Sequence, residues 1–211
     1  MQLLTIKNYK IIKSNKVGDG YRSIIMHLAP YKLSGRNVCP QASTGCAAAC
    51  LNTSGFGRYQ RIQDARIKRT KLFFEDRQGF LTQLNTEIKE FVRKALKDGV
   101  KPAIRLNGTS DLKWEELAPS LFTDFPEVQF YDYTKLTVRM IRYCEGKLPR
   151  NYHLTFSRSE SNDASVNKVI GYGGNAAVVF ANKLPERWRG VRVINGDLTD
   201  HRFLDPNNTI C

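Results

Sequence analysis

The feature that most constrains this chain is a rhythm: from Tyr21 onward, short apolar runs alternate with longer stretches of helical periodicity. The runs are Ser23 to Pro30, Pro102 to Asp111, Glu127 to Lys135, Asn151 to Glu160, Asn175 to Lys183 and Val191 to Asp200. Residues 59–75 and 79–97 carry the strongest helical patterns. In the second, Phe80, Leu81, Leu84, Ile88, Phe91, Val92, Ala95 and Leu96 recur at i, i+3, i+4, i+7 spacing, and Gly99 marks its end. Shorter helices are predicted over 112–122, 136–143 and 163–170. Strands alternating with helices imply βαβ units and a parallel sheet. Six such units in about 190 residues suit a doubly wound sheet or a partial (β/α)6 barrel, since a full eight-unit barrel takes about 250. The expectation is an α/β fold in one domain over 1–211. It has a small N-terminal β cap at 1–20, turned at Gly18-Asp19-Gly20, and a (β/α) core at 21–211 with a cysteine loop at 37–55.

Composition narrows the class. At 41% hydrophobic residues, 211 residues can bury enough apolar surface to offset their ordering entropy, which excludes a disordered basic tail. No window approaches the roughly 20 uninterrupted apolar residues of a membrane span. Lys7, Lys10 and Lys13 interrupt the start where an export signal needs an apolar stretch, so a reducing cytoplasm is expected. There the five cysteines do not read as a disulfide framework.

In both architectures ligands sit beyond the C-terminal ends of the strands. The polar residues closing the later runs are therefore predicted to share one rim: Asn107, Ser110 and Asp111; Asp132 and Lys135; Ser157 and Arg158; Asn182 and Lys183; Asn195, Asp197 and Asp200. Cys39, Cys46 and Cys50 follow the first run, spaced C-x6-C-x3-C in a loop of small residues. Thiolates are the soft ligands of zinc and iron–sulfur centres, and a small-residue loop lets backbone amides approach cluster sulfurs. Three ligands leave one position open, either a free iron or a fourth zinc ligand. No C-x2-C knuckle of the kind zinc ribbons use is present, so an iron–sulfur cluster is expected, zinc is the alternative and buried free thiols are the bland reading. Cys144, in an apolar context, reads as core, and Cys211 has no assigned role.

The net charge of +13 has a local expression. Arg58, Arg61, Arg66 and Arg69 follow the cysteine loop on a predicted helix beside Phe56 and Tyr59. That pattern suits phosphate contacts with base stacking, or else a solvated helix face. Asp111, Asp132, Asp197 and Asp200 fit helix capping or a metal site. His153 reads as a core histidine, and His201 is a weaker catalytic candidate.

The order of these features resembles the radical S-adenosylmethionine fold, a six-unit partial (β/α) barrel with a three-cysteine loop after its first strand. The resemblance implies a [4Fe-4S] cluster on Cys39, Cys46 and Cys50. It also implies S-adenosylmethionine on the open iron, with Asn107, Ser110, Asp111 and Asn195 lining the cavity above. The family's gaps are three and two where this chain has six and three. Ala49 stands where an aromatic usually precedes the last cysteine, and the Gly-Gly-Glu motif is missing. In finer detail CPxASxGCAAxCLN, RLNGTSD with WE, FYDYTK, and INGD with a downstream Asp-Pro resemble the bacteriophage "gene product eighty-eight"-like family, from about Tyr21 to the C-terminus. That resemblance implies a phage origin and a host-cytoplasm setting, without a reaction. The expected function is a phage-encoded iron–sulfur protein with radical-type redox activity. The alternatives are a nucleic-acid-binding protein with a structural or redox-sensing cluster, and a thiolate-zinc protein.

Overall fold

All six apolar runs become strands of one sheet. The structure, a computed structural model, describes residues 1–211. Its strands are β1 (Leu4–Thr5), β2 (Tyr21–Met26), β3 (Lys101–Arg105), β4 (Gln129–Thr134), β5 (Tyr152–Ser157), β6 (Ala176–Ala177), β7 (Arg187–Trp188), β8 (Val191–Val193) and β9 (Thr209–Ile210). The helices are α1 (Tyr9–Ser14), α2 (Tyr31–Ser34), α3 (Thr44–Ala48), α4 (Gln60–Glu75), α5 (Arg77–Lys97), α6 (Trp114–Leu117), α7 (Ser120–Asp124), α8 (Thr137–Cys144) and α9 (Asp163–Gly171). The longest, α5, starts where the Asp76 side chain accepts from the Gly79 amide, and it stops before Gly99 at φ 73°, a left-handed position that favours glycine.

Strand order across the sheet is β1-β2-β3-β4-β5-β6-β9-β8-β7. From β2 to β6 neighbours in sequence are parallel neighbours in space, as repeated βαβ units require. Two features depart from the expected (β/α)6 layout. β9, from the chain's end, inserts between β6 and β8, so the sixth apolar run does not pair with the fifth. The sheet also ends on antiparallel strands, β1 against β2 and β7 against β8. The first twenty residues differ from a β-rich cap as well. They form one two-residue strand and then α1, because Asn8 caps the amides of Lys10 and Ile11 and the turn buries Ile11 and Ser14 on one face.

Alternation along the strands separates two faces. Ile24, Met26, Ile104, Phe130, Leu154 and Phe156 join the main apolar core, with Phe80, Leu84, Ile88 and Phe91 of α5 and Val166 and Val169 of α9. The opposite set, Ser23, Arg105, Tyr131 and Tyr133, meets Ser14 of α1 and the segment carrying Asp200 and His201. One face is thus apolar and helix-covered, and the other is polar and filled by the chain's own C-terminal segment.

Candidate functional site

The cysteine loop leaves the C-terminal end of β2 and is tied down from three directions. First, it is sewn to the loop after β3. The Thr109 hydroxyl donates to Leu28 O at 2.6 Å, the Asp111 amide to Val38 O at 2.8 Å, and the Cys39 thiol to Thr109 O at 3.5 Å. Gly108 makes this approach feasible, since a Cβ there would stand 2.4 Å from Met26 O. Second, Glu160 from the loop after β5 accepts from the Ser43 hydroxyl at 2.9 Å and the Gly45 amide at 2.8 Å, while Ser43 caps α3 through the Cys46 amide. A Cβ on Gly45 would lie 2.7 Å from the Glu160 carboxylate, so a side chain there would push that carboxylate off the Gly45 amide. Third, beyond Cys50, buried Asn52 accepts from the Arg66 guanidinium of α4 at 2.7 Å.

All five cysteines are free and part-buried. Burial pushes the Cys39 thiol up to about 12, and Asp111, Cys50 and Cys46 add to the shift while Lys135 opposes it. The three loop thiols therefore share one electrostatic neighbourhood. As they stand, no three His, Cys, Asp or Glu side chains lie close enough together to hold one ion. The donor chemistry suits a thiolate-bound centre; gripping one requires the loop to draw in, and a bound metal would take the protons from the thiols.

The residues expected to line a cofactor cavity are placed otherwise. Asn107 and Ser110 are buried and face inward. The Asn107 side-chain oxygen accepts from the Ser110 hydroxyl at 2.7 Å, the Leu112 amide at 3.0 Å and the Trp114 indole at 3.2 Å. Its amide donates to Leu112 O and to Asp132. Asp111 accepts from the Lys135 amide and from Arg139, which also holds Glu115 with two bonds and donates to the Tyr152 hydroxyl. Burial raises both Asp111 and Asp132, the latter to about 7. These groups fasten the loop after β3 to β4 and α8, and their polar atoms are already engaged. Asn195 is exposed, and its side chain accepts only the Asp197 amide, in a loop bonded to Lys13 of α1. The structure does not bring it together with the other three.

His201 is fully buried within a chain of bonds not foreseen from sequence. Its Nδ1 lies 2.6 Å from the Asp19 carboxylate and its Nε2 2.6 Å from the Ser23 hydroxyl. A carboxylate only accepts, so Nδ1 carries a proton toward Asp19, while Nε2 shares a hydrogen bond with the Ser23 hydroxyl, whose oxygen also accepts from Tyr131 at 3.2 Å. This is the connectivity of a nucleophilic triad, but Ser23 is 0% exposed, so no substrate reaches it. The cluster acts as a clasp, holding the segment around Asp200 and His201 against the sheet. Arg105 strengthens it by bonding Asp200 at 2.9 Å. Asp19 looked like no more than a turn residue in sequence because its partner is 182 positions away.

The basic set divides. Arg58 and Arg61 are exposed, whereas Arg66 is buried against Asn52 and Arg69 donates to Gln2 O at 2.8 Å. Arg66 therefore faces inward, and half-buried Arg69 is tied to the N-terminus, because α4 turns them toward the cysteine loop and the first residues of the chain. Asp197 is exposed and Asp200 is paired with Arg105, so the four rim carboxylates do not converge on a metal site. His153 bonds Tyr143 at 2.8 Å, as a satisfied interior histidine does. No helix is long and apolar enough to cross a membrane.

No curated protein and no solved structure matches this chain. A family model, Gene product 88, does match, over residues 2–211, and the chain belongs to that bacteriophage family.

Proposed function

We propose that this protein binds a [4Fe-4S] cluster through Cys39, Cys46 and Cys50. The observation that carries the reading is that three free thiols share one loop at the C-terminal ends of the parallel strands, and that separate anchors from β3, β5 and α4 hold its parts. Lys135 and buried Arg66 lie within electrostatic range of these sulfurs and offset the negative charge that thiolates bring. A cluster held by three cysteines keeps one iron open to an outside ligand and can exchange one electron. S-adenosylmethionine as that ligand, within a radical-type partial barrel, is the finer reading, supported by the sequential parallel order from β2 to β6. Asn107, Ser110 and Asp111 can serve such a ligand only by releasing the bonds that hold their loop.

Anaerobic purification with iron and sulfide analysis tests the proposal. The expected result is a coloured protein with about four irons and four sulfides per chain, lost when Cys39, Cys46 and Cys50 are changed together to Ser. A colourless protein holding one zinc per chain overturns it in favour of the thiolate-zinc reading. If the cluster is found, an electron paramagnetic resonance spectrum unchanged by S-adenosylmethionine removes the finer reading.

A further inference from the structure

Directly after the cysteine loop the chain exposes what a folded protein usually covers. Phe56 is 63% exposed and Tyr59 52%. Their rings stack on one another at 6.3 Å and 27°, and the Arg58 guanidinium lies 5.5 Å over Tyr59. The short helical turn Gly55–Arg58 presents the pair, and the buried contact of Gly57 with Asn52 O fixes that turn. Neither ring belongs to the apolar core. Along α4 the exposed Arg61, Lys68 and Lys71 then recur at spacings of seven and three, which places them in one stripe on the solvent side with Asp64. From Arg61 to Lys71 the stripe runs about 15 Å at 1.5 Å per residue.

We infer that this platform binds single-stranded nucleic acid, with Phe56 and Tyr59 stacking on unpaired bases and Arg58, Arg61, Lys68 and Lys71 along the phosphates. The choice of occupant follows from two complementary features. A cationic stripe on a chain of net charge +13 calls for a polyanion. Exposed ring faces beside that stripe call for a polyanion carrying flat apolar groups, which a single strand offers and a duplex keeps stacked inside. Neither a helix-turn-helix pattern nor a base-reading motif accompanies the platform, so binding is sequence-tolerant and falls steeply with salt. The inference does not rest on the cluster.

Fluorescence anisotropy with labelled dT and rU oligonucleotides, a duplex of equal length and anionic phospholipid vesicles tests it. The protein is used both as isolated and with all three loop cysteines changed to Ser. Single strands are expected to bind at low salt at least tenfold more tightly than duplex, and the two labelled strands separate a DNA from an RNA preference. Phe56→Ala and Tyr59→Ala are each expected to weaken binding at least fivefold, as base stacking worth about 1–3 kcal/mol per base implies. Phe56→Trp should restore it, and Tyr172→Ala, which removes an exposed aromatic elsewhere, should leave it unchanged. Arg61→Ala should lower the salt slope by about one. The inference is overturned if the wild-type chain binds neither strand, if duplex or vesicles bind equally well, or if the double Phe56→Ala, Tyr59→Ala variant binds as the wild type does.

Discussion

Two polar loops leave neighbouring parallel strands side by side, and they are built in opposite ways. The loop after β3 has the polar side chains of Asn107, Ser110 and Asp111 buried and bonded. Asn107 alone receives three donors, and Asp111 joins the ion-pair cluster around Arg139. The loop after β2 leaves its thiols part-exposed and is fastened mainly by backbone amides and residues reaching in from elsewhere, such as Glu160 and Arg66. Both looked like functional rim in sequence. The difference shows that polar residues at strand ends can serve as scaffold, and that engagement of their hydrogen-bonding atoms marks the ones that do. The β3 loop is scaffold, and the cysteine loop it supports is the one we propose as the ligand site.

The sharpest way to break this contrast is Arg139→Met. Arg139 is buried between Asp111, Glu115 and Tyr152, so its loss strands two carboxylates. A loss of about 3–5 kcal/mol in denaturant unfolding is expected; a loss below 1 kcal/mol would count against a scaffold role. Next, Asn107→Ala leaves the Ser110 hydroxyl, the Leu112 amide and the Trp114 indole without their acceptor. Unfolding should show a cost on the order of 2–4 kcal/mol.

Asp132→Asn sharpens the contrast through pH. Burial raises the Asp132 carboxyl to about 7 despite bonds from Tyr152 and the Asn107 amide. Between roughly pH 4 and 7 the folded chain then holds a proton that the unfolded chain releases. The stabilisation from this group is full below pH 4 and is lost as pH rises through 7. Relative to wild type the variant should therefore gain stability with rising pH, by at most about 1.4 kcal/mol per unit. His27 and His153, pushed down by burial to about 3 and about 4, act with opposite sign, so the difference between variant and wild type isolates Asp132. A pH-independent difference would show that Asp132 is ionised throughout. The smallest effect belongs to the cysteine loop: Cys46→Ser should cost less than about 1 kcal/mol in metal-free protein, as for a part-exposed side chain outside the core.

Much of this molecule was legible before any coordinates. The i, i+4, i+8 spacing of Phe80, Leu84 and Ile88, followed by Phe91 at i+3 from Ile88, identified α5, and each apolar run identified a strand, because burial of one side imposes its period on the sequence. The rim position of Cys39, Cys46 and Cys50 followed from strand order alone. Arg66 was misread as surface because charge type says nothing about which way a helix turns. Only the packing of α4 beneath the cysteine loop sets it inward, ties Arg69 to Gln2, and leaves Arg58 and Arg61 outside. The N-terminal segment was misread because a six-residue helix depends on its Asn8 cap and on one buried face, which are too few residues to show a period.

The sequence by itself determined the α/β alternation, the parallel core from β2 to β6 and the family, since local periodicity and contiguous motifs are properties of neighbouring residues. The tertiary structure alone decided that β9 inserts between β6 and β8, that Asp19, Ser23 and His201 form one clasp, and that Asn107 faces inward while Phe56 faces out. Those outcomes depend on partners up to 182 positions apart. Such pairings are fixed by how whole layers pack, a constraint that no short stretch of residues carries.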